Sequence, residues 1–239
     1  NHTAKGVVAK TKFATDGTIY SIYSSDRTMN LRTYEHNFKI FSNDGTCVFD
    51  YSTDSNYNSG ATYKLSNVYN DKIVVVVDGG YSSNIISRLL KVDLKTATYT
   101  TIYSSSSLSA SHSTSKSFNA GVSIYSGRYC WLSVSGYKST TTKYSEGDIY
   151  IYDCLLGTGI SIPKSFTCST TPSSQYVKVF ETQNSVGIVF TGFYSSSTKK
   201  NFIYQSPKGQ MSFSKIYEGT VNDVNYFRNN TRRFILLVF

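Results

Sequence analysis

A short signature recurs along this chain at constant spacing. Gly80-Tyr81-Ser82-Ser83 returns as Gly136-Tyr137-Lys138-Ser139 and again as Gly192-Phe193-Tyr194-Ser195, so its glycines stand 56 residues apart at 80, 136 and 192. A fixed period of this kind constrains the fold more than any composition does. Each repeat has to be one supersecondary unit that buries its apolar surface against its neighbours. Every signature follows an apolar run of strand length, at residues 73–77, 129–134 and 186–190. One period earlier, the run 19–23 leads into Ser24-Ser25, and a fifth run occupies 234–239.

More of the unit repeats around these runs. Each is preceded by a turn signal: Asp16-Gly17, Asn70-Asp71, Ser126-Gly127, Gln183-Asn184 and Asn229-Asn230. Before each turn lies another strand-like segment, at 7–15, 62–69, 118–125, 176–182 and 221–228. A second hairpin then follows, pairing 37–42 with 47–51, 87–94 with 97–103, 148–154 with 159–162, and 201–205 with 211–217. Its turns carry Asp44-Gly45, Lys95-Thr96, Gly157-Thr158 and Lys208-Gly209. Asp-Gly between alternating strands is a strong hairpin signal. The unit therefore reads strand A, tight turn, strand B, longer loop, strand C, tight turn, strand D.

A lone four-stranded meander cannot bury both of its faces, whereas radial repetition lets neighbouring sheets cover one another. The B runs are apolar at successive positions, as expected of strands covered on both sides. Tyr, Val, Ile and Thr suit such pleated surfaces, and three Pro leave the strands uninterrupted. The expected fold is all-β, a β-propeller of four-stranded antiparallel blades with about 4.5 blades present. Residues 1–239 form one such propeller fragment, with blades at 7–53, 61–104, 117–167, 175–218 and, in part, 221–239. The ring would be completed by strands outside this sequence. A β-sandwich is the alternative, but it does not explain a unit that keeps its internal order four times. A β-solenoid usually has shorter repeats.

With these residues in view, the chain resembles β-propeller repeat proteins, and most nearly the Kelch-like group. Kelch strand B ends in a Gly pair, and here the run 73–77 leads into Asp78-Gly79-Gly80; later units keep Gly136 and Gly192. Kelch units place a Trp in their last strand, whereas Trp131 falls in strand B. The segment Ser42-Asn43-Asp44-Gly45-Thr46-Cys47-Val48-Phe49 is similar to the Asp-box turn of sialidase-like propellers, as is Ser206 to Phe213 without the Asp. Such boxes are structural turns and imply no catalysis.

Charge and cysteine usage exclude several classes. The net charge is +9, but Lys and Arg cluster no further than Lys199-Lys200 and Arg232-Arg233, so a nucleic-acid partner is not expected. No apolar run approaches the ~20 residues that span a bilayer. Cys47, Cys130, Cys154 and Cys168, spaced by 83, 24 and 14 residues, match no zinc pattern. They read as buried thiols, with one disulfide inside the blade holding the last three as the alternative. Asn1 and Asn229 begin glycosylation sequons.

Catalytic constellations are sparse. His2, His36 and His112 are the only histidines, each expected in an exposed loop, so neither a Ser-His-Asp triad nor a His-rich metal site is expected. Asp78, Glu146 and Asp148 flank the B–C loops, and turn or solvent roles are expected for them ahead of a glycosidase pair. No metal and no cofactor is expected. The loops are more informative. The B–C loops, read at 24–36, 79–85, 136–147 and 192–200, carry Tyr34, Tyr81, Tyr137, Lys138, Tyr144, Phe193, Tyr194 and Lys199 among Ser, Thr and Asn. Tyr offers wide amphipathic contact at low entropic cost, and the small polar residues offer adaptable hydrogen bonds.

The expected function is thus binding or structural rather than enzymatic: a module of a larger surface or particle assembly that recognises a protein or a glycan. Tyr, Ser, Thr and Asn enrichment with 16% charged residues is similar to phage tail and surface proteins, which implies an extracellular or particle-surface setting. A carbohydrate-active or lectin-like propeller and an intracellular Kelch-like adaptor are the alternatives.

Overall fold

The computed structural model describes residues 7–13, 19–24, 38–42, 46–51, 62–78, 87–105, 115–123, 126–138, 144–167, 176–193, 199–220, 224–228 and 234–238. Among them the strands form five antiparallel sheets, each in chain order. Blade 1 holds β1 (Val7–Phe13), β2 (Ile19–Ser24), β3 (Phe38–Ser42) and β4 (Cys47–Tyr51). Blade 2 holds β5 (Thr62–Leu65), β6 (Lys72–Asp78), β7 (Arg88–Asp93) and β8 (Thr98–Ser104). Blade 3 holds β9 (Ser115–Val122), β10 (Tyr129–Lys138), β11 (Tyr144–Asp153) and β12 (Thr158–Thr167). Blade 4 holds β13 (Tyr176–Glu181), β14 (Ser185–Phe193), β15 (Lys199–Pro207) and β16 (Ser214–Thr220), and a two-stranded sheet pairs β17 (Val224–Arg228) with β18 (Phe234–Val238). Among the described residues, no helix is long and apolar enough to cross a membrane.

The sheets stack face to face. Successive residues of a strand point to opposite faces, so a strand covered on both sides must be apolar at every position. In β6 the odd residues Ile73, Val75 and Val77 pack with Ile40 and Phe49 of blade 1. The even residues Val74 and Val76 pack with Ala120, Cys130 and Leu132 of blade 3. In β10 the odd residues Tyr129 and Trp131 turn instead to Val177, Val186, Ile188 and Phe190 of blade 4. The first strands of consecutive blades lie against one another, β1 by β5, β5 by β9 and β9 by β13, while the last strands stay outside. In β8 and β16 most described residues are exposed or half-buried. Shared first strands, outer last strands and cores between sheets make this a β-propeller of four-stranded antiparallel blades.

The turns follow their chemistry, with some shifts. Asn70 and Asp71 both take the left-handed conformation, φ 50° and 57°, and Tyr69 and Lys72 exchange backbone hydrogen bonds of 2.9 Å, which is the two-residue hairpin such residues favour. Ala97 and Met211, read as the first residues of D strands, have φ 53° and end the turns instead; β8 starts at Thr98 and β16 at Ser214. β9 begins at Ser115, ahead of the strand segment read from 118, because the ladder with β10 continues through Tyr137↔Ser115. Trp131 lies over its cross-strand partner Gly121, where an added Cβ would come within 2.7 Å of the indole. Phe180 covers Gly187, its own partner, in the same way one blade later.

Candidate functional site

A meander puts its A–B and C–D turns at one end of each blade and its B–C loop at the other. Hydrogen bonds between blades bring like ends together. Asn67 N–H donates to the Gly127 carbonyl at 3.0 Å, joining the A–B turns of blades 2 and 3. Ser123 and Ser126 hydroxyls donate to the two oxygens of Glu181 at 2.6 and 2.5 Å, joining blade 3 to the A–B turn of blade 4. The tight turns thus share one rim, and the B–C hairpin ends share the other.

Five of the residues singled out for recognition fall on described strands at the B–C ends. Tyr137 and Lys138 end β10 and Tyr144 starts β11, where Lys138 pairs with Tyr144 and Tyr137 with Ser145. One blade on, Phe193 ends β14 and pairs with Lys199 at the start of β15. An aromatic residue and a lysine therefore close the central hairpin of both blades as register partners. The strands run further than expected: residues 136–138 and 144–147, read as loop, belong to β10 and β11, and 192–193 and 199–200 to β14 and β15. The reason is that the alternating Ser-Gly-Tyr-Lys and Thr-Gly-Phe segments extend the ladder instead of breaking it. Tyr34, Tyr81, Tyr194, Asn1 and Asn229 lie outside the described residues, as do all three histidines and Cys168.

The tight-turn rim is built around acids that end C strands or begin A–B turns. Asp153 is fully buried, and Arg128 grips it with two hydrogen bonds, Nε to Oδ1 at 2.9 Å and Nη2 to Oδ2 at 2.7 Å. This charge-assisted fork holds the guanidinium above its ordinary pKa. Asp153 Oδ1 also accepts the N–H groups of Leu155 and Leu156, which fixes the turn after β11. Asp93 does the same in blade 2, accepting from Lys95 and Thr96 and pairing with Lys72 at 3.3 Å. The Thr96 amide is the main reason its carboxyl is held below the usual range. Between blades 3 and 4, buried Glu181 takes Lys208 at 3.4 Å besides the two serines. The Tyr129 hydroxyl accepts the Gly209 N–H at 3.2 Å, and burial, with Asp153 adding to it, pushes that phenol up to about 12.

Between blades 2 and 3 the same rim opens into a cleft of about 220 Å³, lined by Tyr69, Lys72, Lys91, Tyr152, Cys154 and Leu156 among others. Leu155 and Leu156 stand exposed at its mouth, by 43% and 49%. Burial pushes the Tyr152 phenol to about 12. Tyr103 of blade 2 stacks on Tyr150 of blade 3 with ring centroids 3.8 Å apart, farther out on the same blade pair. Cys130, Cys154 and Cys47 all carry thiols. Cys130 is buried and Cys154 half-buried, but Cys47, expected inside, is exposed at the start of an outer strand. Among the described residues no group of three or more His, Cys, Asp and Glu could hold a metal ion.

No protein-family profile matches the chain, and no curated protein matches it. Solved structures do. One is the β-propeller domain of the Trilobed protease from Pyrococcus furiosus, described as having an open velcro topology; it is 13% identical with a TM-score of 0.45, over 93% of this chain and 59% of that one. Another comes from a study of two prolyl endopeptidases, 8% identical with a TM-score of 0.33, over 96% of this chain and 39% of that one.

The acids of the tight-turn rim escaped the sequence reading. One signal was available. Asp93 and Asp153 occupy the same place in their units, next to last in the segments read at 87–94 and 148–154, two residues before a turn N–H they could cap. Glu181 had no such signal, because the serines that bind it lie in another repeat.

Proposed function

We propose that this chain is a non-enzymatic binding or structural module of a larger surface or particle assembly, and that it recognises a protein or a glycan through its B–C rim. The observation that supports this reading is the repetition of one chemical pair, Lys138↔Tyr144 and Phe193↔Lys199, at the same end of adjacent blades. An aromatic residue and a lysine as register partners supply two chemistries that suit a sugar, which offers a C–H face for stacking and hydroxyls for hydrogen bonds, and they equally suit a polar protein surface. Tyr34, Tyr81 and Tyr194 extend the proposed site, and the Kelch-like assignment, resting on Asp78-Gly79-Gly80, belongs to the same proposal.

The test is a glycan array probed with the chain and with a variant carrying Tyr81→Ala, Tyr137→Ala and Tyr194→Ala. A glycan signal lost in the variant, with the melting temperature kept, supports recognition at this rim. A signal that the variant retains removes the rim as the site. Silence on the array moves the reading to protein contacts, to be measured as loss of partner capture by the same variant.

A further inference from the structure

The face that blade 3 turns toward blade 2 brings two thiols together. Cys130 in β10 is fully buried, Cys154 directly follows β11, and their Sγ atoms lie 3.5 Å apart. The register explains the approach. Cys130 pairs with Tyr152, and the Cys154 N–H continues the ladder by donating to the Arg128 carbonyl at 2.8 Å. The two cysteines are therefore diagonal neighbours on one face, packed among Val74, Val76, Leu89 and Leu132.

Their surroundings differ in a useful way. Cys154 lines the cleft between blades 2 and 3, so a small solute can reach it, while Cys130 lies behind it in the core. A disulfide bond of about 2.0 Å requires the sulfurs to close by roughly 1.5 Å. Cys154 can supply that movement, because it opens the turn 154–157, whereas Cys130 is held by pairing with Val122 on one side and Tyr152 on the other.

We propose that Cys130 and Cys154 form a redox modification site for a low-molecular-weight disulfide entering through this cleft. The Cys154 thiolate attacks one sulfur of the reagent, forming a mixed disulfide and releasing one thiolate. Cys130 then attacks Cys154 Sγ, which releases the second small thiolate; the Cys130 proton leaves on that thiolate and the Cys130–Cys154 bond closes. Two protein thiols are oxidised and one small disulfide is reduced to two thiols. Closure draws residue 154 toward β10. The turn that carries exposed Leu155 and Leu156 moves with it, so oxidation reshapes the mouth of the cleft. This site is independent of the B–C rim, at the opposite end of the blade.

The experiment uses the full chain, reduced and then exposed to oxidised glutathione, with remaining thiols alkylated before digestion and mass spectrometry. The expected product is one peptide pair linked through Cys130 and Cys154, with both of those thiols lost to alkylation. In Cys130→Ser the reaction stops at a Cys154–glutathione mixed disulfide, and in Cys154→Ser Cys130 remains alkylatable after unfolding. Should the core substitution at Cys130 fail to fold, the wild-type cross-link decides alone. Recovery of both cysteines alkylated while exposed Cys47 is modified overturns the proposal, as does a link to Cys47 or Cys168, or a stable mixed disulfide in the wild type. Hydrogen exchange tests the coupled movement: the amides of Leu155 and Leu156, held by Asp153 in the reduced chain, exchange faster once the bond has closed. Unchanged exchange overturns that part.

Discussion

The two faces of blade 3 come from the same strands yet are built differently. Toward blade 4 it presents Tyr129, Trp131, Ile149 and Ile151, sealed at the rim by Arg128–Asp153 and by Glu181 with its serines and Lys208. Toward blade 2 it presents Cys130, Leu132, Tyr150 and Tyr152, and at the rim it leaves a cleft. Residue parity alone separates the two sets. The lesson is that an apolar strand in such a stack carries two messages at once, and that polar groups at the rim decide which contact closes tightly.

Breaking the seal should have the largest effect. Arg128→Met leaves the fully buried Asp153 carboxylate unpaired, which costs about 3–5 kcal/mol of stability in urea unfolding. Adding Asp153→Asn should return part of that loss, since the stranded charge is then gone. A smaller expectation tests the parity directly. Leu132→Ala and Leu89→Ala share one core and should be non-additive by about 0.5–3 kcal/mol, whereas Trp131→Ala and Leu89→Ala should add to within roughly 0.5 kcal/mol. Additivity in the first pair would show that the blades do not stack as described.

Alkaline unfolding sharpens the comparison further, because each face holds one strongly perturbed phenol. Tyr129 and Tyr152 titrate near 12 in the folded chain against an ordinary value of 10.0. The folded state keeps these protons longer, so their contribution is whole below pH 10 and disappears as pH climbs toward 12. Tyr129→Phe and Tyr152→Phe should each flatten part of that decline. Tyr129→Phe should also cost about 0.5–1.5 kcal/mol at neutral pH, because the Gly209 N–H loses its acceptor. Equal neutral-pH stability of wild type and Tyr129→Phe would mean that this bond adds nothing to the seal.

Much of the architecture was legible in the residues. Asn70-Asp71 announces its turn, and the unbroken run 73–77 announces a strand covered on both faces. Strand ends were less legible. Gly136 and Gly192 look like stops, yet the ladder runs past both, because an extended glycine between pairing residues costs less than two unpaired backbones. The B–C rim was readable as a set of residue types, and the register added which of them pair. The thiols illustrate the opposite case: 24 positions separate Cys130 from Cys154, and only the β10–β11 register makes them neighbours.

The sequence by itself determined the unit, its strand order and its hairpin turns, because these depend on alternation and turn residues within a few positions. Tertiary structure decided what meets across the blades. Lys64 reaches the Ala120 carbonyl, Ser126 reaches Glu181, Ser123 reaches Glu181 and Tyr103 reaches Ser161 across 56, 55, 58 and 58 residues, close to one repeat each time. The period foretold that such partners exist. Which side chains meet depends on how two twisted sheets settle against each other, and that is a property of the packed pair rather than of either strand.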